Sequence, residues 1–201
     1  DSGIGFTTDE DSAFVTSNVL NNDNDPDGGV VSIDSIDTSG TVGNVSNNGD
    51  GTFNYDPNGQ FEFLQEGETA TDSFTYAATD GENTGTSNVT ITIDGRNDAP
   101  VANDDTGAEY TTDEETAFTT GNILDNDTDV EGDSLTVTVV DTSGTLGSLT
   151  DNGDGTFDYD PNGQFNSLSP GETATDTFTY RVEDSRSEAS ELARTPPRPP
   201  G

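Results

Sequence analysis

Two acidic loops hold the residues best suited to chemistry in this chain. Asp23-Asn24-Asp25-Pro26-Asp27-Gly28 is mirrored by Asp127-Thr128-Asp129-Val130-Glu131-Gly132-Asp133. Side-chain oxygens fall on alternate residues, and a glycine follows. A hard cation such as Ca2+ takes roughly six to eight oxygen ligands, and alternate residues of a tight loop can all aim inward. The first half of an EF-hand loop has this form. The second half is missing: Asp34 and Thr138 stand where the closing Glu belongs, and strand-like sequence follows in place of a helix. The EF-hand is therefore excluded and the cation kept. For either loop alone a solvated acidic turn is the competing reading; the loop's recurrence favours calcium.

A third acidic stretch, D-G-R-N-D-A-P-V-A-N-D-D, spans Asp94–Asp105. Such crowding of carboxylates needs either disorder or a counter-ion. Its bland alternative is a stiff, hydrated connector, because Pro100 biases Ala99 toward extended backbone. Paired carboxylates also bring glycoside hydrolysis to mind. These carboxylates fall in turns, however, and the chain has no Trp and no His. No catalytic residue is assigned, and the chain is not read as an enzyme. A carbohydrate-binding or cell-surface-binding module, with polysaccharide or cell-surface glycans as partners, is the runner-up. It would need exposed aromatic rings, whereas most Phe and Tyr fall at inward strand positions; Tyr110 and Phe63 are the least certain of these.

Composition narrows the partners. The 201 residues carry 41 acidic side chains against 5 basic ones, a net charge of −36, with 26% hydrophobic residues. That balance ordinarily marks disorder, yet here the apolar residues are patterned and repeat. All five cations are Arg, and up to Tyr180 the sole one is Arg96. Such a surface repels nucleic acid and anionic membranes, and no apolar run reaches membrane-spanning length. There is no cysteine, so neither a disulfide framework nor a thiolate metal site exists. A lysine-free acidic surface also suits concentrated salt, where screening weakens self-repulsion; this is compatible with calcium binding. No signal peptide is seen, and both ends look like cuts from a longer array.

The elements that must position these loops come from one unit written twice. Phe6–Asp80 falls on Tyr110–Asp184 without a gap, at an offset of 104 residues and with 43 of 75 positions identical. That period is too long for a solenoid and suits a sandwich domain. The apolar period is two: Phe53 with Tyr55, Phe74 with Tyr76, Val89 with Ile91 and Ile93, Leu135 with Val137 and Val139. Asn-Gly and Asp-Gly pairs punctuate the runs. The first copy predicts seven strands, at 4–8, 12–20, 30–37, 41–46, 52–56, 72–79 and 86–94. The fold class is all-β: two tandem antiparallel Greek-key β-sandwiches. Phe14, Val19, Leu20, Ile33, Phe53, Tyr55, Phe61, Phe74, Tyr76, Val89 and Ile91 supply the expected core. The expected layout is repeat 1 at 1–94, an acidic linker at 95–105, repeat 2 at 106–184 lacking its last strand, and a non-repeat, disordered tail at 185–201.

The chain resembles the bacterial cadherin-like repeats, including VCBS-type repeats, found in tandem in large secreted adhesins. The resemblance rests on NDAPVANDD at 97–105, TTDE-[DE]-[ST]-A-F at 7–14 and 111–118, N-[VI]-L-[ND]-N-D-x-D at 18–25 and 122–129, and NGDGTFxYDPNGQF followed by TDxFTY. It covers nearly all of 1–184. It implies an extracellular, secreted or cell-surface location, neighbouring repeats as partners, and calcium between successive domains. The implied ligands are Asp94, Asn97 and Asp98 from the linker, Asp127 and Asp129 as a DxD pair, Asp184 after a late strand, Glu10, and Glu66 or Glu68. In the first repeat Asp23, Asp25 and Asp80 are the equivalents, while Asp27 and Glu131 extend the loop sets. The linker has one residue fewer between Asn-Asp and Ala-Pro than the animal pattern D-x-N-D-N-A-P. The implied function is a calcium-rigidified extender segment supporting cell adhesion.

Overall fold

The computed structural model describes residues 1–186 and the strand 193–195. It comprises two compact units, Asp1–Asn97 and Asp98–Gly201. Unit 1 contains β1 (Thr7–Asp9), β2 (Phe14–Val15), β3 (Ser32–Asp37), β4 (Asn44–Asn47), β5 (Phe53–Asp56), β6 (Thr69–Thr79) and β7 (Thr84–Asp94). They form two sheets, β1-β7-β6-β3 and β2-β5-β4. Alternation decides which faces meet. Phe74 and Tyr76 on β6, Val89, Ile91 and Ile93 on β7, and Phe53 and Tyr55 on β5 are all buried in one cluster. The Phe53 and Phe74 rings meet edge to face at 4.8 Å across the two sheets. Each such side chain contributes about 1.5–3 kcal/mol when fully buried.

Most of the expected core is here, with Phe14, Leu20 and Ile33 only partly buried and Phe6, Leu64 and Ile93 added. Two differences from the sequence expectation have local causes. The strand expected at 12–20 shrinks to Phe14–Val15, then gives way to a 3-10 turn at Val19–Asn22. Asn18 forces this: its Oδ1 accepts the Leu20 N–H at 2.9 Å, and its Nδ2 donates to the Asp50 carbonyl at 2.7 Å. Short polar side chains offer the backbone an alternative to the ladder in this way. The second difference is β1, which pairs with β7 in parallel and brings Asp9 opposite Asp94.

Unit 2 repeats the plan with β8 (Phe118–Thr119), β9 (Thr136–Asp141), β10 (Ser148–Asp151), β11 (Phe157–Asp160), β12 (Phe178–Glu183) and β13 (Ala193–Thr195). Its sheets are β10-β11-β8 and β13-β12-β9. Phe157, Phe178, Tyr180, Val182, Ile123 and Tyr110 fill its core. Tyr110 is thus a core residue, whereas Phe63 is 60% exposed. Where the sequence suggests only a non-repeat tail, Ala193–Thr195 pairs antiparallel with Phe178–Tyr180. The rest of that tail, 187–192 and 196–201, lies outside the described residues. The segment 98–105, expected as linker, is stitched into unit 2: Val101 and Thr128 exchange backbone hydrogen bonds at 2.7 and 3.0 Å.

Each unit buries a carboxylate that anchors a loop. Asp72 is 4% exposed. It accepts the N–H groups of Val42 and Gly43 at 2.8–3.1 Å and the Tyr55 hydroxyl at 2.8 Å. Asp176 does the same for Leu146, Gly147 and Tyr159. The arrangement ties the loop before β4, or β10, to the sandwich interior.

All five tyrosines of the chain are buried residues. Burial pushes every phenol up, and a neighbouring carboxylate adds to the effect in each: Asp72 for Tyr55, Asp23 for Tyr76, Asp105 for Tyr110 and Tyr180, Asp176 for Tyr159. Tyr76 is raised to about 12. A pKa raised above its unfolded value, near 10, contributes stability below that value that is lost as pH rises through the folded one. An alkaline titration should therefore show little phenolate absorbance at pH ~10. A steep rise near pH ~12, coincident with loss of β-sheet circular dichroism, should follow. Ordinary titration of several tyrosines near pH ~10 in the folded protein would contradict the buried hydrogen bonds.

Candidate metal centre

The β6–β7 hairpin separates the acidic residues of unit 1 into two groups. Its strands are eleven residues long, so its ends lie roughly 35 Å apart at ~3.3 Å per residue. At the turn end, Asp23, Asp25, Asp27 and Asp80 line a cleft of about 420 Å³ together with Tyr76. Asp23 Oδ2 accepts the Tyr76 hydroxyl at 2.9 Å. Asp25 caps its own loop, accepting the N–H groups of Asp27 and Gly29. Asp80 accepts the Glu82 and Asn83 N–H groups at 2.8 and 2.7 Å. The Asn83 and Glu82 bonds hold its carboxyl below the usual range.

At the other end, Glu10 is 1% exposed, and its Oε1 accepts the Arg96 N–H. Asp94 ends β7 and is exposed. Glu68 is also exposed, accepting the Gln65 N–H at 3.2 Å, as is Glu66. The Glu68 carbonyl accepts the Gly95 N–H at 2.8 Å, so the loop is closed next to Arg96 and Asn97. Asp9, beside Glu10, keeps a buried Oδ1 that accepts no hydrogen bond among the described residues, while its Oδ2 lies 3.5 Å from Arg96 Nη2.

Unit 2 sets out the DxD-type loop in detail. Asp127 lies inside: Oδ1 accepts the Asn103 N–H at 2.8 Å, and Oδ2 lies 3.4 Å from the Tyr180 hydroxyl. That hydroxyl also reaches Asp105 at 2.8 Å, and Asp105 accepts the Tyr110 hydroxyl at 3.1 Å. Asp129 Oδ1 accepts the Asp133 N–H at 2.9 Å. Glu131 Oε1 accepts the Asp98 N–H at 2.8 Å, which brings two expected ligands together. Asp184, 5% exposed, accepts the Arg186 N–H at 2.6 Å, while Arg186 Nε reaches Asp133 at 2.9 Å. The remaining oxygens, Asp129 Oδ2 and Glu131 Oε2, are buried and have no hydrogen-bond donor among the described residues. Burial raises the pKa of Glu131, and of Asp127 against the pull of its Asn103 and Tyr180 bonds.

Buried carboxylate oxygens without donors are costly, and a cation is the counterpart that suits oxygen-only donors. By donor type the residues present fit a hard divalent ion, and in unit 2 the oxygens open to one are Asp129 Oδ2 and Glu131 Oε2. Asp105 and Asp133 stand in the acidic stretches but outside the expected ligand set, and Asp9 and the buried Asp72 and Asp176 were not singled out from the sequence. The repeated TTDE and TDxFTY blocks contain Asp9, Asp72 and Asp176, so a signal existed for those three.

The sequence profile of the bacterial cadherin-like domain matches residues 2–95 and again 97–195. The chain belongs to this family. The second match of the bacterial cadherin-like domain extends through β13. Among solved structures, the two cadherin-like units are similar to the first two extracellular domains of human protocadherin-24. That similarity has 14% identity and a TM-score of 0.46, covering 86% of this chain and 83% of that one. Drosophila N-cadherin domains 1–4 match at 16% identity and TM-score 0.41, over 86% of this chain and 41% of theirs. An endo-fucoidan hydrolase matches at 17% identity and TM-score 0.28; the match covers 85% of this chain and 23% of the hydrolase. A sequence search among curated proteins finds no match.

Proposed function

We propose that these two domains form a calcium-binding, calcium-rigidified extender segment of an extracellular adhesin or cell-surface stalk. The reading is carried by the donorless buried oxygens of Asp9, Asp129 and Glu131. An ion there supplies positive charge to oxygens that, among the described residues, no donor reaches, and it favours the ionised form of Glu131, which burial opposes. Glu10, Asp94, Asn97 and Glu68 would serve at one end of unit 1, with Asp23, Asp25, Asp27 and Asp80 at the hairpin end. Asp98, Asp127, Asp129, Glu131 and Asp184 would serve in unit 2. Of these, Asp127 acts more as a support than a ligand, since both its oxygens are engaged inside the unit. The mechanism is mechanical: neutralising repelling carboxylates stiffens a string of domains that holds a distal binding domain away from the cell. The other partners are neighbouring repeats of a longer array. Among the described residues no helix is long and apolar enough to cross a membrane. No catalytic role is proposed.

The test is thermal unfolding in EDTA, then in millimolar calcium, beside magnesium and matched NaCl. A calcium-selective rise in melting temperature supports the reading. Equal stabilisation by NaCl or magnesium would reduce the carboxylates to a generic acidic surface. The runner-up, a glycan-binding module, draws on the exposed ring of Phe63. Its position in the second repeat is Ser167, so this feature is not part of the repeated design.

A further inference from the structure

The chain contains four Asn-Gly pairs, two in each unit: Asn48-Gly49, Asn58-Gly59, Asn152-Gly153 and Asn162-Gly163. The structure divides them into two kinds, and the division is the same in both units. At Asn48-Gly49 the side-chain amide and the following N–H are both held. Asn48 Nδ2 donates to Thr52 Oγ1 at 3.0 Å, and its Oδ1 accepts from Asn54 Nδ2 at 2.8 Å. The Gly49 N–H donates to Asn47 Oδ1 at 2.8 Å. At Asn152-Gly153, Asn152 Nδ2 donates to Thr156 Oγ1 at 3.1 Å, and the Gly153 N–H donates to Asp151 Oδ1 at 2.7 Å.

Asn58-Gly59 is different. The Asn58 side chain is exposed and, among the described residues, makes no hydrogen bond, and neither does the Gly59 N–H. The turn's hydrogen bonds use neither group: the Gln60 N–H donates to the Pro57 carbonyl at 3.2 Å, and the Asn58 N–H donates to the Asp56 side-chain Oδ1 at 2.8 Å. Both central residues are left-handed, with φ +55° and +64°. The space beside Gly59 is open, its nearest neighbour being Glu62 Oε1, 3.9 Å from where a Cβ would stand. Asn162-Gly163 repeats this, with φ +51° and +70° and a Gln164 N–H to Pro161 carbonyl bond of 3.0 Å.

We propose that Asn58 and Asn162 are sites of spontaneous deamidation through a cyclic imide, and that the hydrogen bonds around Asn48 and Asn152 protect those residues. The Gly59 backbone nitrogen attacks the Asn58 Cγ and gives up its proton. A C–N bond forms, the bond from Cγ to the side-chain nitrogen breaks, and ammonia leaves. Water then adds to either imide carbonyl, giving aspartate or isoaspartate. The balance is asparagine plus water to acid plus ammonia, with no oxidant or cofactor. Glycine suits the step because no Cβ crowds the ring closure. Each event adds one negative charge. The isoaspartyl product also inserts a backbone carbon into the turn that leads to the buried Phe61 or Phe165.

The experiment is to age the intact chain in mildly alkaline buffer. It is then cleaved with a protease specific for acidic residues, and each Asn-Gly peptide is followed by mass spectrometry with isoaspartate-resolving fragmentation. A urea-denatured sample aged alongside gives the intrinsic rates. Folded protein should lose Asn58 and Asn162 at least roughly tenfold faster than Asn48 and Asn152, since two or more hydrogen bonds must break first at the latter pair. In urea the four should differ little. A Thr52→Ala/Asn54→Ala variant should accelerate loss at Asn48 alone. Equal rates at all four sites in the folded protein, faster loss at Asn48 or Asn152, or no loss at any of the four would each overturn the proposal.

Discussion

Asp72→Ala should cost unit 1 about 3–5 kcal/mol, and Asp176→Ala should do the same to unit 2. The carboxylate is almost wholly buried and has no solvent to replace it. Its loss strands the N–H groups of Val42 and Gly43 and the Tyr55 hydroxyl, all of which now end on Asp72. Stranded donors cost about 1–3 kcal/mol each if they stay buried. The loop cannot relax by moving closer, because Gly43 already packs against Tyr55 and the Asp56 carbonyl: a Cβ on Gly43 would stand 2.6 Å from that oxygen. For a unit of this size, ~3 kcal/mol should lower the melting temperature by more than about 10 °C. Tyr55→Phe is the graded companion. It removes one hydrogen bond and leaves the backbone donors Val42, Gly43 and Ser73 satisfied, so its cost should stay near ~1–2 kcal/mol. Urea melts of both variants check this. A shift of only a degree or two in Asp72→Ala would mean that water replaces the carboxylate and that the loop is not anchored there.

That result bears on what the sequence shows and what it hides. Strand pairing in the β6–β7 hairpin is legible because Phe74 and Tyr76 and then Val89, Ile91 and Ile93 keep a period of two over a long run. The same period places Asp72 on the inward face, two residues before Phe74. Between Thr71 and Ser73, though, an aspartate reads as solvent-facing, and only the pairing with Tyr55, seventeen residues earlier, explains its burial. Short elements were harder to see. β2 is two residues long because Asn18 diverts the chain into a 3-10 turn, a competition between side chain and ladder that no apolar pattern records. At the acidic loops residue type and repetition pointed to the carboxylates as candidate ligands. The use of each oxygen was not legible there. Asp127 and Asp129 look equivalent in sequence, yet Tyr180, far along the chain on β12, draws Asp127 into the interior and leaves Asp129 with a donorless oxygen.

The same distinction makes the metal reading sharply testable, because substitution at Asp129 or Glu131 should change sign with calcium. In EDTA, Asp129→Asn and Glu131→Gln should leave stability unchanged or raise it, since each removes a buried charge that has no partner on one oxygen. Glu131→Gln keeps an oxygen for the Asp98 N–H, so the local hydrogen bond survives. In calcium the same variants should fall behind the parent. For an extracellular-type site with Kd of ~10⁻⁴–10⁻³ M, about 10 mM calcium should stabilise the parent by roughly 1.4–2.7 kcal/mol per site. At ~4–8 °C per kcal/mol, the melting temperature should rise by roughly 6–20 °C. Each variant should lose most of this. Asp127→Asn should behave differently, because its oxygens hold Asn103 and Tyr180 rather than facing an ion. It should weaken unit 2 in EDTA and calcium alike while retaining a calcium response. Calorimetric titration of the three variants beside the parent separates the roles. If Asp127→Asn abolishes the calcium response while Asp129→Asn and Glu131→Gln keep it, the ion sits deeper than the donorless oxygens suggest. If none of the three alters it, calcium acts on this chain through its overall charge and the proposed ligand sites are wrong.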